Sequence, residues 1–285
     1  VAVEHSVTNG VPTTHGLTRL QLLACAVMND TPTNDTPAND TPLVFGHRGA
    51  RAVAPENTKV SFVKALDLGA DGVELDVRLT RDGTVVVIHD AALDRTTDGS
   101  GLVEESDFAS IAELDAGSWF NASFKGIEVP TLDEILKMLA GRTQINVELK
   151  AEGAADELVK HVVTEVVRRN AFASVLFSSF HLDALRLLRL LVPDARIGVL
   201  FRSGQQQDAL TTAVRLGAVN LHAPFDCADE DLRSRTRSAG LQLWVWTANE
   251  AADIEKLLDL QVDAIFSDYP DRVVAARLRR HDARR

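Results

Sequence analysis

Short runs rich in Val, Ile, Leu and Phe alternate along the chain with longer stretches whose apolar positions recur every three to four residues. The short runs predict strands over 43–46, 72–79, 144–150, 174–178, 196–201, 218–221, 242–246 and 264–266. The longer stretches predict helices over 58–68, 132–139, 154–170, 182–191, 206–216, 229–238, 251–258 and 270–278. Thr131 ahead of Asp133 and Glu134, and Asn249 ahead of Glu250, mark helix starts, while Gly217 and Gly240 mark stops. A β-branched run over 84–88 adds a short extra strand. Strands that read as continuous apolar runs belong to a parallel sheet covered on both faces. Eight strand–helix units at 285 residues favour an α/β protein, a closed (β/α)8 TIM barrel, over an open doubly wound sheet.

Two regions break the alternation. Residues 91–130 lack a sustained period and contain the turn-rich run 96–101, which predicts a small insertion after the second strand, a lobe or lid over one end of the barrel. Residues 29–42 repeat the unit Asn-Asp-Thr-Pro three times. With proline interrupting helix and ladder alike, residues 1–42 read as a flexible N-terminal extension ending in a linker, and the barrel domain as 43–285.

Composition narrows the classes. A net charge of −11 argues against a general nucleic-acid binder, which needs a basic footprint. The locally basic end, Arg277, Arg279, Arg280, Arg284 and Arg285, reads as a solvated helix terminus. Two cysteines, Cys25 and Cys227, support neither a disulfide framework nor a thiolate zinc site. No run is long enough for stable membrane insertion. The expected compartment is the cytoplasm, with export left open by an atypical leader in which Leu22-Leu23-Ala24-Cys25 resembles a lipoprotein cleavage site. Asn-x-Thr units in the repeats and Asn121-Ala122-Ser123 are glycosylation acceptors only if the chain is secreted.

The chemistry concentrates at predicted strand ends. Strand alternation puts Glu74 and Asp76 on one side, and Glu148 with Lys150 repeats that spacing on a later strand. Three carboxylates brought together are costly without a cation, and a hard divalent metal ion, Mg²⁺ or Ca²⁺, suits oxygen ligands. The competing reading pairs these acids with Arg78 and Lys150, or leaves them on an exposed sheet edge. His47 and His89 each follow a strand and suit proton transfer near neutrality. Arg48 offers a planar fork, and Lys150 a point charge, to phosphate oxygens.

The ordered motifs His47-Arg48-Gly49, Ala54-Pro55-Glu56-Asn57-Thr58, Glu74-Leu75-Asp76-Val77, His89-Asp90, Leu93-Asp94-Arg95-Thr96-Thr97, Val129-Pro130-Thr131-Leu132 and Asn146-Val147-Glu148-Leu149-Lys150 resemble those of the glycerophosphodiester phosphodiesterases. Ser178-Ser179-Phe180 and 245–249 resemble barrel-wall segments of that family, and the similarity runs over about 43–274. The resemblance implies a phosphatidylinositol-phospholipase-like barrel, metal ligands at Glu74, Asp76 and Glu148, and an acid/base pair at His47 and His89. It further implies phosphate contacts from Arg48 and Lys150, with Phe180 and Trp246 lining the glycerol or alcohol pocket unless they simply pack the barrel. Glu56 and Asn57 would organise the first loop, with Glu56 near the ion.

The expected function is metal-dependent hydrolysis of a small-molecule glycerophosphodiester to sn-glycerol 3-phosphate and an alcohol. The resemblance implies the substrate's own hydroxyl as nucleophile, giving a cyclic phosphate that water then opens, with direct attack by water as the alternative. One alternative is a lysophospholipase D or sphingomyelinase D-like enzyme, with Trp119, Phe120, Phe124 and Ile127 of the insertion as an apolar rim. Another is a non-catalytic phosphodiester-binding protein. The headgroup, the ion and the oligomeric state are left open.

Overall fold

A computed structural model describes residues 41–153 and 155–283. The Asn-Asp-Thr-Pro repeats up to residue 40, the Cys25 segment, Arg284 and Arg285 lie outside the described residues. The strands are β1 (Leu43–Gly46), β2 (Gly72–Leu79), β3 (Val85–Val87), β4 (Gln144–Leu149), β5 (Val175–Ser179), β6 (Ile197–Leu200), β7 (Asn220–Pro224), β8 (Gln242–Trp246) and β9 (Ala264–Ser267). The helices are α1 (Lys59–Asp67), α2 (Phe108–Ile111), α3 (Leu132–Leu139), α4 (Ala155–Arg168), α5 (Leu182–Leu191), α6 (Gln206–Leu216), α7 (Glu230–Ser238), α8 (Ala251–Asp259) and α9 (Pro270–Ala283).

The parallel strands β1, β2, β4, β5, β6, β7, β8 and β9 pair in that order, and β9 returns to β1, so the sheet closes into the expected (β/α)8 barrel. β3 pairs antiparallel with β2 outside the ring. Closure leaves no edge strand and buries each strand on both faces. On β2, Val73, Leu75 and Val77 join the layer between sheet and helices, which also takes Leu136 of α3 and Val162 of α4. Glu74 and Asp76, one pleat out of phase, point the other way, into the barrel.

Local signals explain most boundaries. The Thr131 hydroxyl accepts from Glu134 N while the Glu134 carboxylate reaches back to Thr131 N, a capping box that starts α3. Gly217 closes α6 in the left-handed conformation, with φ 59°. That cap also corrects the expected strand over 218–221. Ala218 N bonds back to Ala213 O of α6, so the strand begins at Asn220 and runs to Pro224. Asn220 and His222, two residues apart, share one buried face, where His222 Nε2 lies 2.9 Å from Asn220 Oδ1. Asn249 is likewise not the cap of α8; Glu250 holds that position, and the Asn249 side chain turns to Asp268.

The insertion forms a lobe with its own core, built from Val86, Ile88, Leu93, Val103, Ile111, Ala116 and Val129. Trp119, Phe120 and Phe124 stack edge-on with centroids 5.7 and 5.6 Å apart, and Trp119 stays 39% exposed, so they form an aromatic cluster on the surface of the lobe.

Candidate active site

The loop after β1 carries the first part of the site. His47 N donates to Ser267 O of β9, which fixes where the loop leaves the barrel. Arg48 takes φ 52°, and Gly49 φ 86° with no room for a side chain, because a Cβ there would fall 2.3 Å from Ser61 Oγ. This tight turn aims Arg48 N at Glu74 Oε2, 2.8 Å away. The Arg48 guanidinium meets Glu56 Oε1 at 2.8 Å and Asp76 Oδ2 at 3.3 Å. Asn57 grips Asp76 from both ends, donating from Nδ2 to Oδ2 (2.8 Å) and accepting from Asp76 N.

Glu74, Asp76 and Glu148 converge as expected. They offer oxygens all within 4.8 Å of one another, and all three residues are buried. The sheet register explains it: Asp76 lies beside Glu148, and Glu74 beside Asn146, on adjacent parallel strands. The competing pairing reading holds in part. Lys150 Nζ sits 3.0 Å from Asp76 Oδ1 and bonds Glu148, but Arg78 turns away to Glu152 and to the His89 carbonyl.

Electrostatics separates the three acids. Burial, together with Asp76 and Glu148, raises the Glu74 carboxyl well above its usual range. Burial also raises Glu148, to about 7, against the pull of Lys150. Asp76 is just as buried, yet Lys150, Arg48 and His89 outweigh that and hold its carboxyl below the usual range. Thus the resident cations satisfy Asp76 and leave Glu74 and Glu148 short of positive charge. Asp76 Oδ1 is met only by the Lys150 ammonium among the described residues. A divalent cation fits this all-oxygen, anion-rich set.

Each histidine is oriented by a carboxylate. His47 Nδ1 lies 2.7 Å from Asp268 Oδ1, and Asn249 Nδ2 donates to Asp268 Oδ2 at 2.8 Å. His89 Nδ1 lies 2.6 Å from Asp90 Oδ1. Arg95, from the lobe, clamps both Asp90 (2.6 Å) and Glu56 (2.7 Å). Burial opposes the Glu56 charge, but Arg95 and Arg48 bring its carboxyl down to about 2. Burial lowers the pKa of both histidines. Next in importance, Asp268 opposes that shift at His47 and Asp76 opposes it at His89; Arg48 and Arg51 push His47 further down.

Sequence reasoning did not single out Asp268, Asn249, Arg95 or Asp90 as site residues, although Leu93-Asp94-Arg95-Thr96-Thr97 and His89-Asp90 were visible as motifs. Asp268 stands 221 positions from His47, and nothing local marks the pair.

A cavity of about 130 Å³ is lined by His47, Arg48, Glu74, His89, Glu148 and Lys150 on its polar side. Phe180, Leu200, His222, Trp246 and Phe266 line the rest, and Phe180 meets Trp246 edge-on at 5.7 Å. All nine predicted site residues except Asp76 line this one cavity, and Asp76 joins it through the triad.

The model of the Glycerophosphoryl diester phosphodiesterase family matches residues 47–272. A glycerophosphodiester phosphodiesterase of Caldanaerobacter subterraneus is 35% identical over 238 residues, covering 81% of this chain and 96% of that protein. One from Bacillus subtilis is 31% identical, covering 80% and 84%. Among solved structures, a phosphodiesterase of Oleispira antarctica in complex with the product sn-glycerol-3-phosphate superposes with a TM-score of 0.77 at 33% identity, covering 83% of this chain and 96% of that one. Barrel, triad, paired histidines and these matches over most of the chain agree, and the chain belongs to the glycerophosphoryl diester phosphodiesterase family.

Proposed function

We propose that the protein hydrolyses glycerophosphodiesters to sn-glycerol 3-phosphate and an alcohol. The observation that carries this reading is the pair of carboxylate-oriented histidines facing one cavity that also holds three convergent acids. The matched relatives carry the name of that activity, and the Oleispira structure holds that product. Glu74, Asp76 and Glu148 would hold the ion, Mg²⁺ or Ca²⁺. Bound there, it would supply Lewis-acid stabilisation of charge on phosphate and alkoxide oxygens.

With Asp268 ionised, His47 presents Nδ1–H to it and leaves Nε2 as the acceptor. Arg48 and Arg51 disfavour a second positive charge on His47, which suits a base. His89, held at Nδ1 by Asp90, is the other proton carrier and is assigned as the acid; burial, Lys150 and Arg48 lower its pKa, and Asp76 favours its protonated form against them. In the first step His47 takes the proton of the substrate's neighbouring hydroxyl, whose oxygen bonds to phosphorus. The phosphorus–alcohol bond breaks, and His89 protonates the departing oxygen. In the second step His89 takes a proton from water, the water oxygen opens the cyclic ester, and His47 returns its proton to the released hydroxyl. Arg48 and Lys150 keep positive charge beside the phosphate, each tethered by acids.

The test is release of glycerol 3-phosphate from glycerophosphoethanolamine with Mg²⁺ or Ca²⁺ and with chelator. Chelation should abolish release. His47→Ala and His89→Ala should each lower kcat by about 10²- to 10⁴-fold with an unchanged circular dichroism spectrum. Full turnover in either histidine variant would discard its acid/base role. Faster turnover of lysophosphatidylcholine would shift the reading to a lipid substrate, and tight binding without turnover would shift it to a binding protein.

A further inference from the structure

The rim beside Phe180 carries a charge that the reaction scheme leaves unused. Arg202 follows β6 by two residues, on the barrel end where Leu200 lines the cavity. Its guanidinium lies over the Phe180 ring, 4.7 Å from the centroid, and the same ring meets Trp246. The loop that presents it is anchored twice. Arg202 N donates to Gln205 Oε1 at 3.0 Å, and Ser203 Oγ donates to Asp226 Oδ2 at 2.5 Å. Arg202 itself is exposed and has no carboxylate within ion-pair distance among the described residues. The acid of the same loop contact is engaged: Asp226 holds Ser203.

Two consequences follow for a ligand lodged against Phe180 and Trp246. A quaternary ammonium is held best by open aromatic faces, and here a guanidinium covers a face of Phe180. An anionic substituent, in contrast, meets a free planar fork whose stem is already ordered by stacking. We propose that Arg202 is a specificity determinant that selects glycerophosphodiesters whose alcohol bears a carboxylate or phosphate over those whose alcohol is purely cationic. This rests on the phosphodiesterase reading above.

Glycerophosphoserine and glycerophosphoethanolamine differ by one carboxylate, and glycerophosphocholine supplies the quaternary ammonium. The protein should favour the serine diester by kcat/KM. Arg202→Gln should lower the serine-to-ethanolamine ratio of kcat/KM by about three- to fivefold, through KM, the scale of one exposed ion pair. Arg202→Glu should reverse the preference toward choline. Raising salt should compress the ratio in the unmodified protein and leave it unmoved in Arg202→Gln. A ratio that neither substitution moves, or an equal loss on all three diesters, overturns the proposal while the phosphodiesterase reading stands. Absence of glycerol 3-phosphate from every diester sinks that reading and this one with it.

Discussion

The barrel interior has two unlike halves. Strands β1, β2 and β4 and the loops after them gather Arg48, Glu74, Asp76, Glu148 and Lys150. Across the barrel, β7, β8 and β9 bring His222, Trp244 and Phe266 against Phe45 of β1. In that half the rings touch closely: Phe45 and Trp244 lie 4.8 Å apart, and His222 stacks on Trp244 at 5.2 Å. Two glycines beside the rings have no room for a side chain. A Cβ on Gly72 would strike the Phe45 ring at 2.4 Å, and one on Gly198 would strike Asn220 Oδ1 at 2.4 Å and His222 Nε2 at 2.5 Å. The apolar half holds by packing and desolvation, which favour the folded state outright. The charged half burdens folding at Glu74 and Glu148, whose buried carboxyls are pushed up, while Lys150 and Arg48 offset that cost at Asp76.

The sharpest break of this contrast is in the packed half. Trp244→Ala removes a large ring that is 5% exposed and should cost about 3–5 kcal/mol in urea unfolding, with little effect on chelator sensitivity. A cost under about 1 kcal/mol would mean that half is not close-packed.

His222 gives a smaller, pH-dependent effect. Burial lowers its pKa to about 3 in the folded protein, against about 6.5 when unfolded. The unfolded chain therefore takes up a proton that the folded chain refuses. The contribution is complete above about pH 6.5 and is lost as pH falls toward about 3. Between pH 7 and pH 5 the unmodified protein should lose about 2 kcal/mol more stability than His222→Gln, measured by denaturant unfolding at each pH. Parallel pH profiles for the two proteins would refute the assignment.

The smallest effect should carry the opposite sign. Glu74→Gln keeps an acceptor for Arg48 N and removes a buried charge that Asp76 and Glu148 oppose. In chelator near neutral pH the variant should be more stable by about 1 kcal/mol while losing turnover with metal. A destabilised variant would show that the triad is balanced by its own cations.

Most strand positions were legible because a sheet buried on both faces leaves a dense apolar imprint on the chain. The misses share a cause. At β7 the chain spends Ala218 closing the helix that Gly217 caps, and His222 and Pro224 carry no strand propensity of their own. Asn249 has the chemistry of a helix cap, but Asp268 competes for its amide and wins. Glu74, Asp76, Glu148 and the two histidines were legible because they fall in short motifs at strand ends. The partnership of His47 with Asp268 and the clamp of Arg95 on Glu56 were not, because a hydrogen bond between residues 221 or 39 positions apart leaves no local pattern.

By itself, then, the sequence determined the succession of strands and helices, the closed barrel and the identity of the acids and histidines, since hydrophobic period and motif spacing are local properties. Tertiary structure alone decided which acid is matched by cations, which carboxylate steers which imidazole and which guanidinium covers Phe180. Those outcomes depend on distances and burial that exist only once the barrel has closed.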